Sequence, residues 1–278
     1  MDYQIIGDSC CDLSEQMQQE LGAQLVPLKI TVEDRSFVDD ENLNTRELIA
    51  AMKQSHRPAR TSCPSPSDFL ARFKKSSADF IVTLSSKLSG TYNSARNAVE
   101  MIRAEYPDKI AHVFDSKSAC AGEVLVAMKL REYINQNFDP QKIIEKVEQF
   151  IDNMKTFFVL ESLDNLVKNG RISKVTGTLA SIMSLRPIMG ADGHGEIALF
   201  ERVRGTQKAL SRLVDMIGEQ CSNISERILV IAHCNNPARA QDFRRQVEAK
   251  YDFRQIQVVE TRGLSTVYAN DGGIVIAF

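Results

Sequence analysis

Along the first half of the chain, short apolar runs alternate with longer stretches of helical spacing. Residues 3–6 (YQII) and 80–84 (FIVTL) are apolar runs bounded by polar turns, as expected of buried strands. Residues 25–32 (LVPLKITV) have the β-branched, apolar character of a further strand, and residues 111–114 (AHVF) predict another. Between these runs, Ala95, Ala98, Val99 and Ile102 recur with helical period over 91–106. A long apolar helix is predicted over 119–136, with Ala121, Leu125, Ala127 and Met128 in reach of a core. Start signals agree with this reading. Asp12 with Glu15 three residues on resembles a capping box opening a helix that stops at Gly22. Asn44 with Glu47 opens one over 45–55, and Ser65-Pro66 and Asp139-Pro140 open two more. The segment 57–69 (RPARTSCPSPSDF) reads as rigid and turn-rich.

The second half has a different rhythm. Strands are expected over 157–160, 197–203, 228–233, 256–260 and 274–278, and helices over 163–169, 178–185, 206–220 and 237–251. Gly263 is read as a break before the closing strand. The βαβα alternation of the first half predicts a parallel sheet covered on both faces, whereas the second half suggests an antiparallel α+β unit. The expected fold class is therefore α/β with two domains. They are an N-terminal parallel-sheet α/β/α domain over 1–155 and a C-terminal α+β domain with a largely antiparallel sheet over 156–278.

The 278 residues suffice for two such units, and 43% hydrophobic with 25% charged residues is the balance of a soluble globular protein. A formal net charge of −2 gives no electrostatic case for nucleic acid. The six cysteines (Cys10, Cys11, Cys63, Cys120, Cys221 and Cys234) lack paired CxxC spacing and are read as reduced thiols in a cytoplasmic protein. The N-terminus shows no secretory signal, and no segment reads as a membrane span.

Candidate chemistry concentrates in loops. In a parallel sheet, ligands bind beyond the carboxyl ends of the strands. The loops 7–9 (GDS), 85–90 (SSKLSG) and 115–118 (DSKS) should gather there. Loop 85–90 joins a strand to a helix, so its backbone N–H groups and the helix dipole suit a carboxylate or phosphate. The alternative is an ordinary helix start with Ser89 as N-cap. Ser9, Thr61, Ser62, Ser85, Ser86, Ser89 and Thr91 give the predicted loops an unusual density of hydroxyls, which can hold a carboxylate without neutralising it. Asp8 and Asp115 at strand ends serve either as acids or bases or, more simply, as turn caps. Arg171 in the GRIS turn is either a surface charge or an anion partner. The four histidines lie far apart without metal-ligand spacing, and no GxSxG, HExxH or GxxxxGK[ST] motif occurs. No catalytic residue, metal or cofactor is expected.

These residues resemble the DegV family. Thr61-Ser62-Cys63-Pro64-Ser65-Pro66 is similar to its TSQPSP motif, residues 85–92 to SSxLSGTY, and residues 114–122 to its DS…S…G segment. Residues 166–173 resemble its LxxGGRIS turn, with Asn169 in place of a glycine. Arg186-Pro187-Ile188 resembles its KPI segment, and residues 202–209 its later basic stretch. The resemblance implies a non-catalytic, cytoplasmic protein that binds a long-chain fatty acid in a tunnel between the domains. Carboxylate binding falls on Thr61, Ser89 and Gly90, with Ser62, Ser86 and Arg171 in support. The implied partner is the catalytic subunit of a fatty acid kinase, which phosphorylates the presented carboxylate for phospholipid synthesis, with transient membrane contact for lipid exchange. Leu179, Ile182 and Met183 of the apolar helix are candidates for the tunnel wall, with core packing as the alternative. One departure stands out: where the family has HxGPG, this chain has Tyr268-Ala269-Asn270-Asp271-Gly272-Gly273. That puts service to a kinase, rather than lipid binding, in question. Two rival classes remain open at this point: a hydrolase or transferase using Ser89 or Cys63 as nucleophile, and a binding module for a phosphorylated metabolite.

Overall fold

A computed structural model describes residues 3–73, 76–172 and 185–278. The first strand, β1 (Tyr3–Asp8), is buried from its second residue onward and pairs in parallel with β2 (Ala23–Val26). The single strand expected over 25–32 is in fact two. Pro27, which has no N–H to give a ladder, ends β2, and Ser9 Oγ takes the next amide, Leu28 N, at 3.0 Å. The chain then turns into β3 (Lys29–Val32), β4 (Arg35–Val38) and β5 (Arg60–Ser62), a small antiparallel sheet of order β4-β3-β5. The turn-rich segment thus contains a strand. β6 (Ala78–Thr83) and β7 (Ile110–Asp115) complete the parallel sheet, in the order β2-β1-β6-β7.

The helices of this half are α1 (Glu15–Leu21), α2 (Thr45–Gln54), α3 (Pro66–Leu70), α4 (Thr91–Glu105), α5 (Ala121–Asn135) and α6 (Pro140–Asn153). Ser14, not Asp12, is the N-cap of α1 and accepts from Met17 N. Asp12 is buried and accepts instead from Arg262 N at 2.6 Å. Helix α5 explains its own apolarity. It is buried over most of its circumference because it packs on β1 and β6 on one side and on the second sheet on the other.

The second sheet holds β8 (Thr156–Val159), β9 (Arg186–Ala191), β10 (Ile197–Val203), β11 (Ile228–His233), β12 (Gln255–Glu260) and β13 (Ile274–Ala277). Its order is β10-β9-β8-β13-β11-β12, antiparallel throughout except for the β11–β12 pair. Helices α7 (Asp164–Lys168), α8 (Thr206–Gln220), α9 (Pro237–Glu248) and α10 (Gly263–Ala269) accompany it. The helix expected over 178–185, with Leu179, Ile182 and Met183, lies outside the described residues apart from Leu185.

Gly263 does not merely break the chain; it starts α10. The Asp39 carboxylate accepts the amides of Gly263 and Leu264 at 2.8 and 2.7 Å, satisfying two of the donors a helix N-terminus leaves open. Glycine is required there, because a Cβ would fall 2.3 Å from Leu43 Cδ2 and 2.8 Å from Asp39 Oδ1. Among the described residues, no helix is long and apolar enough to cross a membrane.

Candidate functional site

The three polar loops do converge at the carboxyl edge of the parallel sheet, and the two strand-end aspartates hold them. Asp8 Oδ2 accepts from Leu84 N at 2.8 Å. Asp115 Oδ1 accepts from Ser86 N and Lys117 N at 3.1 and 3.0 Å, and Ser85 N donates to Ser118 O at 2.7 Å. Asp8 and Asp115 are thus turn anchors. Burial pushes the Asp8 pKa up to about 7 against the amide hydrogen bonds, which pull it down.

Between this edge and the second sheet runs a cavity enclosing about 880 Å³ of empty space, open solvent at its mouth included. Its wall is mostly carbon, with Leu28, Leu84, Leu88 and Leu264 facing Phe158, Leu160, Ile197 and Val275. Cys10 and Cys120 also line it, and burial raises both thiols well above their ordinary range, so they present neutral surfaces.

Polar side chains enter the wall at few points. Thr61 and Ser89 both line it, and the Thr61 and Tyr268 hydroxyls are 2.9 Å apart. Ser89 Oγ lies 2.8 Å from Thr91 Oγ1 and accepts from Thr91 N, while Gly90 is the N-cap residue of α4 with no side-chain cap bond. Ser89 is therefore not the N-cap. Arg171 lines the same cavity and donates from Nε to Leu88 O at 3.2 Å, tying the GRIS turn to loop 85–90. Asn169, at the position where a glycine is usual, donates from Nδ2 to Ala59 O at 3.0 Å and fixes that turn near β5. Ser62 and Ser86 do not line the cavity. Strand alternation turns Ser62 outward, and Ser86 is held through its amide by Asp115. Gly90 is likewise absent from the wall, with Cys63 Sγ lying 3.4 Å from where its Cβ would be.

Contacts across the cavity knit the two halves. Ser85 Oγ donates to Gly195 O at 2.7 Å, and Ser118 Oγ meets Thr156 Oγ1 at 2.7 Å. Gly122 permits the second of these, since a Cβ there would sit 2.0 Å from Ser118 Oγ. Sequence reasoning missed the contribution of α10, which brings Leu264, Ser265, Tyr268 and Ala269 to the wall. It also missed Asp39, whose role depends on a partner 224 residues away. Among the described residues no histidine lines the cavity: His233 ends β11, and His112 pairs with Glu148 at 2.9 Å.

The profile of the DegV family matches residues 2–278. The chain belongs to the DegV family. A DegV domain-containing protein of Streptococcus pneumoniae R6 is 32% identical over 281 residues, covering 100% of this chain and 99% of its own. The crystal structure of a DegV family protein of Ruminococcus gnavus, refined with vaccenic acid, superposes with a TM-score of 0.95 at 38% identity, covering 100% of this chain and 99% of that one. The fatty acid kinase (Fak) B3 protein of S. pneumoniae, loaded with linoleic acid, superposes with a TM-score of 0.90 at 30% identity, with 100% and 99% coverage. In this chain, then, the DegV fold places a carbon-lined cavity with a hydroxyl cluster between its two sheets.

Proposed function

We propose that this DegV protein binds a long-chain fatty acid, with the acyl chain in the cavity and the carboxylate held by the Thr61 and Ser89 hydroxyls. The observation that carries this reading is the pairing of a largely apolar wall with Thr61, Ser89 and Tyr268. A carboxylate accepts several hydrogen bonds, and neutral donors hold it without removing its charge. Each methylene withdrawn from water contributes about 0.8 kcal/mol, so the tail supplies most of the affinity and the hydroxyls set its direction. Arg171, which lines the cavity, supports the head group from the loop side. The tunnel lies between units that divide near residue 155. DegV relatives solved with vaccenic and linoleic acids support the ligand class.

Likeness to the Fak B3 protein further supports a non-catalytic role, presenting the carboxylate to a kinase catalytic subunit in the cytoplasm. Nucleophilic catalysis by Ser89 or Cys63 fits less well, because neither has a histidine base beside it in the cavity among the described residues. A phosphorylated metabolite fits less well too, since the wall is largely hydrocarbon. Native mass spectrometry of the purified protein tests the reading. It should show one bound fatty acid, and delipidated protein should rebind added acid. Protein that is always empty and does not take up added acid refutes it.

A further inference from the structure

Behind the cavity wall lies a cluster of ligating groups that lipid binding does not use. Asp8 at the end of β1, Cys10 in the following turn and Glu123 in the first turn of α5 place a carboxylate oxygen, a sulfur and a second carboxylate oxygen within 4.8 Å of one another. Asp8 and Glu123 have no solvent exposure, and Cys10 has 3%. Asp8 spends one lone pair of each oxygen on the amides of Cys10 and Leu84, at 2.9 and 2.8 Å, and keeps others free. Neither oxygen of Glu123 has a partner in hydrogen-bond geometry, although Asp8 and Cys10 lie beside it. A fully buried carboxyl with two unpartnered oxygens, facing a second carboxylate and a thiol, is costly unless a proton or a cation joins it. The cationic side chain that approaches this region, Arg262, lies 3.9 Å from the Asp39 carboxylate instead.

We propose that Asp8, Cys10 and Glu123 form a binding site for one divalent zinc ion. Two carboxylates and a thiolate suit zinc, which takes oxygen and sulfur ligands together. Calcium and magnesium prefer oxygen alone. The oxygen–oxygen and oxygen–sulfur edges of a tetrahedral zinc site are roughly 3.3–3.5 Å, and the three ligand atoms lie within 4.8 Å of one another, a spacing that side-chain adjustment can close. Three protein ligands leave its fourth position to a single enclosed water.

Zinc takes carboxylates and a thiolate in their deprotonated forms, so any proton these three groups hold leaves as the ion binds. Burial raises the Glu123 carboxyl and the Cys10 thiol above their ordinary ranges, which makes uptake pH-dependent. Asp12, Asp39, Cys11 and Cys120 are the other titratable groups facing the cluster, and burial raises the pKa of each. Cys10 also lines the cavity, which gives the ion a way in when lipid is absent. Once bound, the ion ties the turn after β1 to α5 and stiffens one wall of the tunnel.

The test uses full-length, delipidated protein stripped with a chelator and equilibrated with zinc chloride at pH 8. Elemental analysis and native mass spectrometry should find one equivalent of zinc. Cobalt(II) in its place should show a thiolate-to-metal charge-transfer band. Glu123→Gln mimics the protonated acid and should fold normally, yet lose the bound equivalent. Cys10→Ser should lose the charge-transfer band. The proposal is overturned if the wild type takes up no zinc even when refolded in its presence. Uptake unchanged in both variants overturns it as well.

Discussion

Replacing Thr61 with valine tests the head-group end of the tunnel with little disturbance, because the two side chains share shape and β-branching. Thr61 sits opposite Ile30 in the small sheet, and its hydroxyl lies 2.9 Å from that of Tyr268. A hydrogen bond to a charged acceptor contributes about 1.5–3 kcal/mol. This hydroxyl also has a neutral partner in Tyr268, a bond worth about 1 kcal/mol that offsets part of the gain on binding. The expected net loss is about 0.5–2 kcal/mol, a two- to thirtyfold rise in Kd for a long-chain acid. Titration calorimetry with a fatty acid and with its primary alcohol separates the head group from the tail. The alcohol buries the same methylenes but carries no charge, so its affinity should change by less than about twofold. Equal losses for acid and alcohol would show that the substitution damaged the tunnel instead. An unchanged Kd for the acid would remove Thr61 from the head-group site.

Three further outcomes follow from the same geometry. Across a series of saturated acids, each added methylene should tighten binding about fourfold until the tunnel is full, and a flat series measured by competition would contradict an apolar tunnel. Asp39→Ala removes the acceptor for the first two amides of α10. It should cost roughly 1–3 kcal/mol in denaturant unfolding and weaken acid binding through the displaced Tyr268; wild-type stability would show that the cap is dispensable. Asp12, which burial raises from 3.8 to about 7, binds its proton more tightly folded than unfolded, so its stabilising contribution is lost as pH rises through 7. The fall in Tm between pH 4.5 and 7 should therefore be shallower in Asp12→Asn, though not abolished, because Asp8 titrates in the same window; an identical pH profile would count against this assignment.

Local signals carried most of the fold. The alternating strands and helices of the first half, the caps at Asn44, Ser65 and Asp139, and the strand over 197–203 all have causes within a few residues of themselves. The misreadings have causes elsewhere in the chain. Nothing near Gly263 announces a helix. Its sequence, GLSTVYA, is as compatible with a strand, and it becomes helical where Asp39 supplies the acceptor for its first amides. Asp12 followed by Glu15 looks locally like a capping box, yet the Asp12 carboxylate is drawn away by the amide of Arg262, 250 residues on. The same distinction governs the site. Within Thr61-Ser62 no local property says which hydroxyl faces the tunnel. The pairing of β5 with β3 decides it: Thr61 lies opposite the fully buried Ile30, and alternation sends Ser62 to the other face. A one-residue slip in that register would turn Thr61 away from Tyr268 and bring Ser62 or Arg60 opposite Ile30 in its place. On the proposed reading, specificity for a carboxylate therefore depends on a three-residue strand, and through Tyr268 on a helix held by Asp39 from the opposite end of the chain.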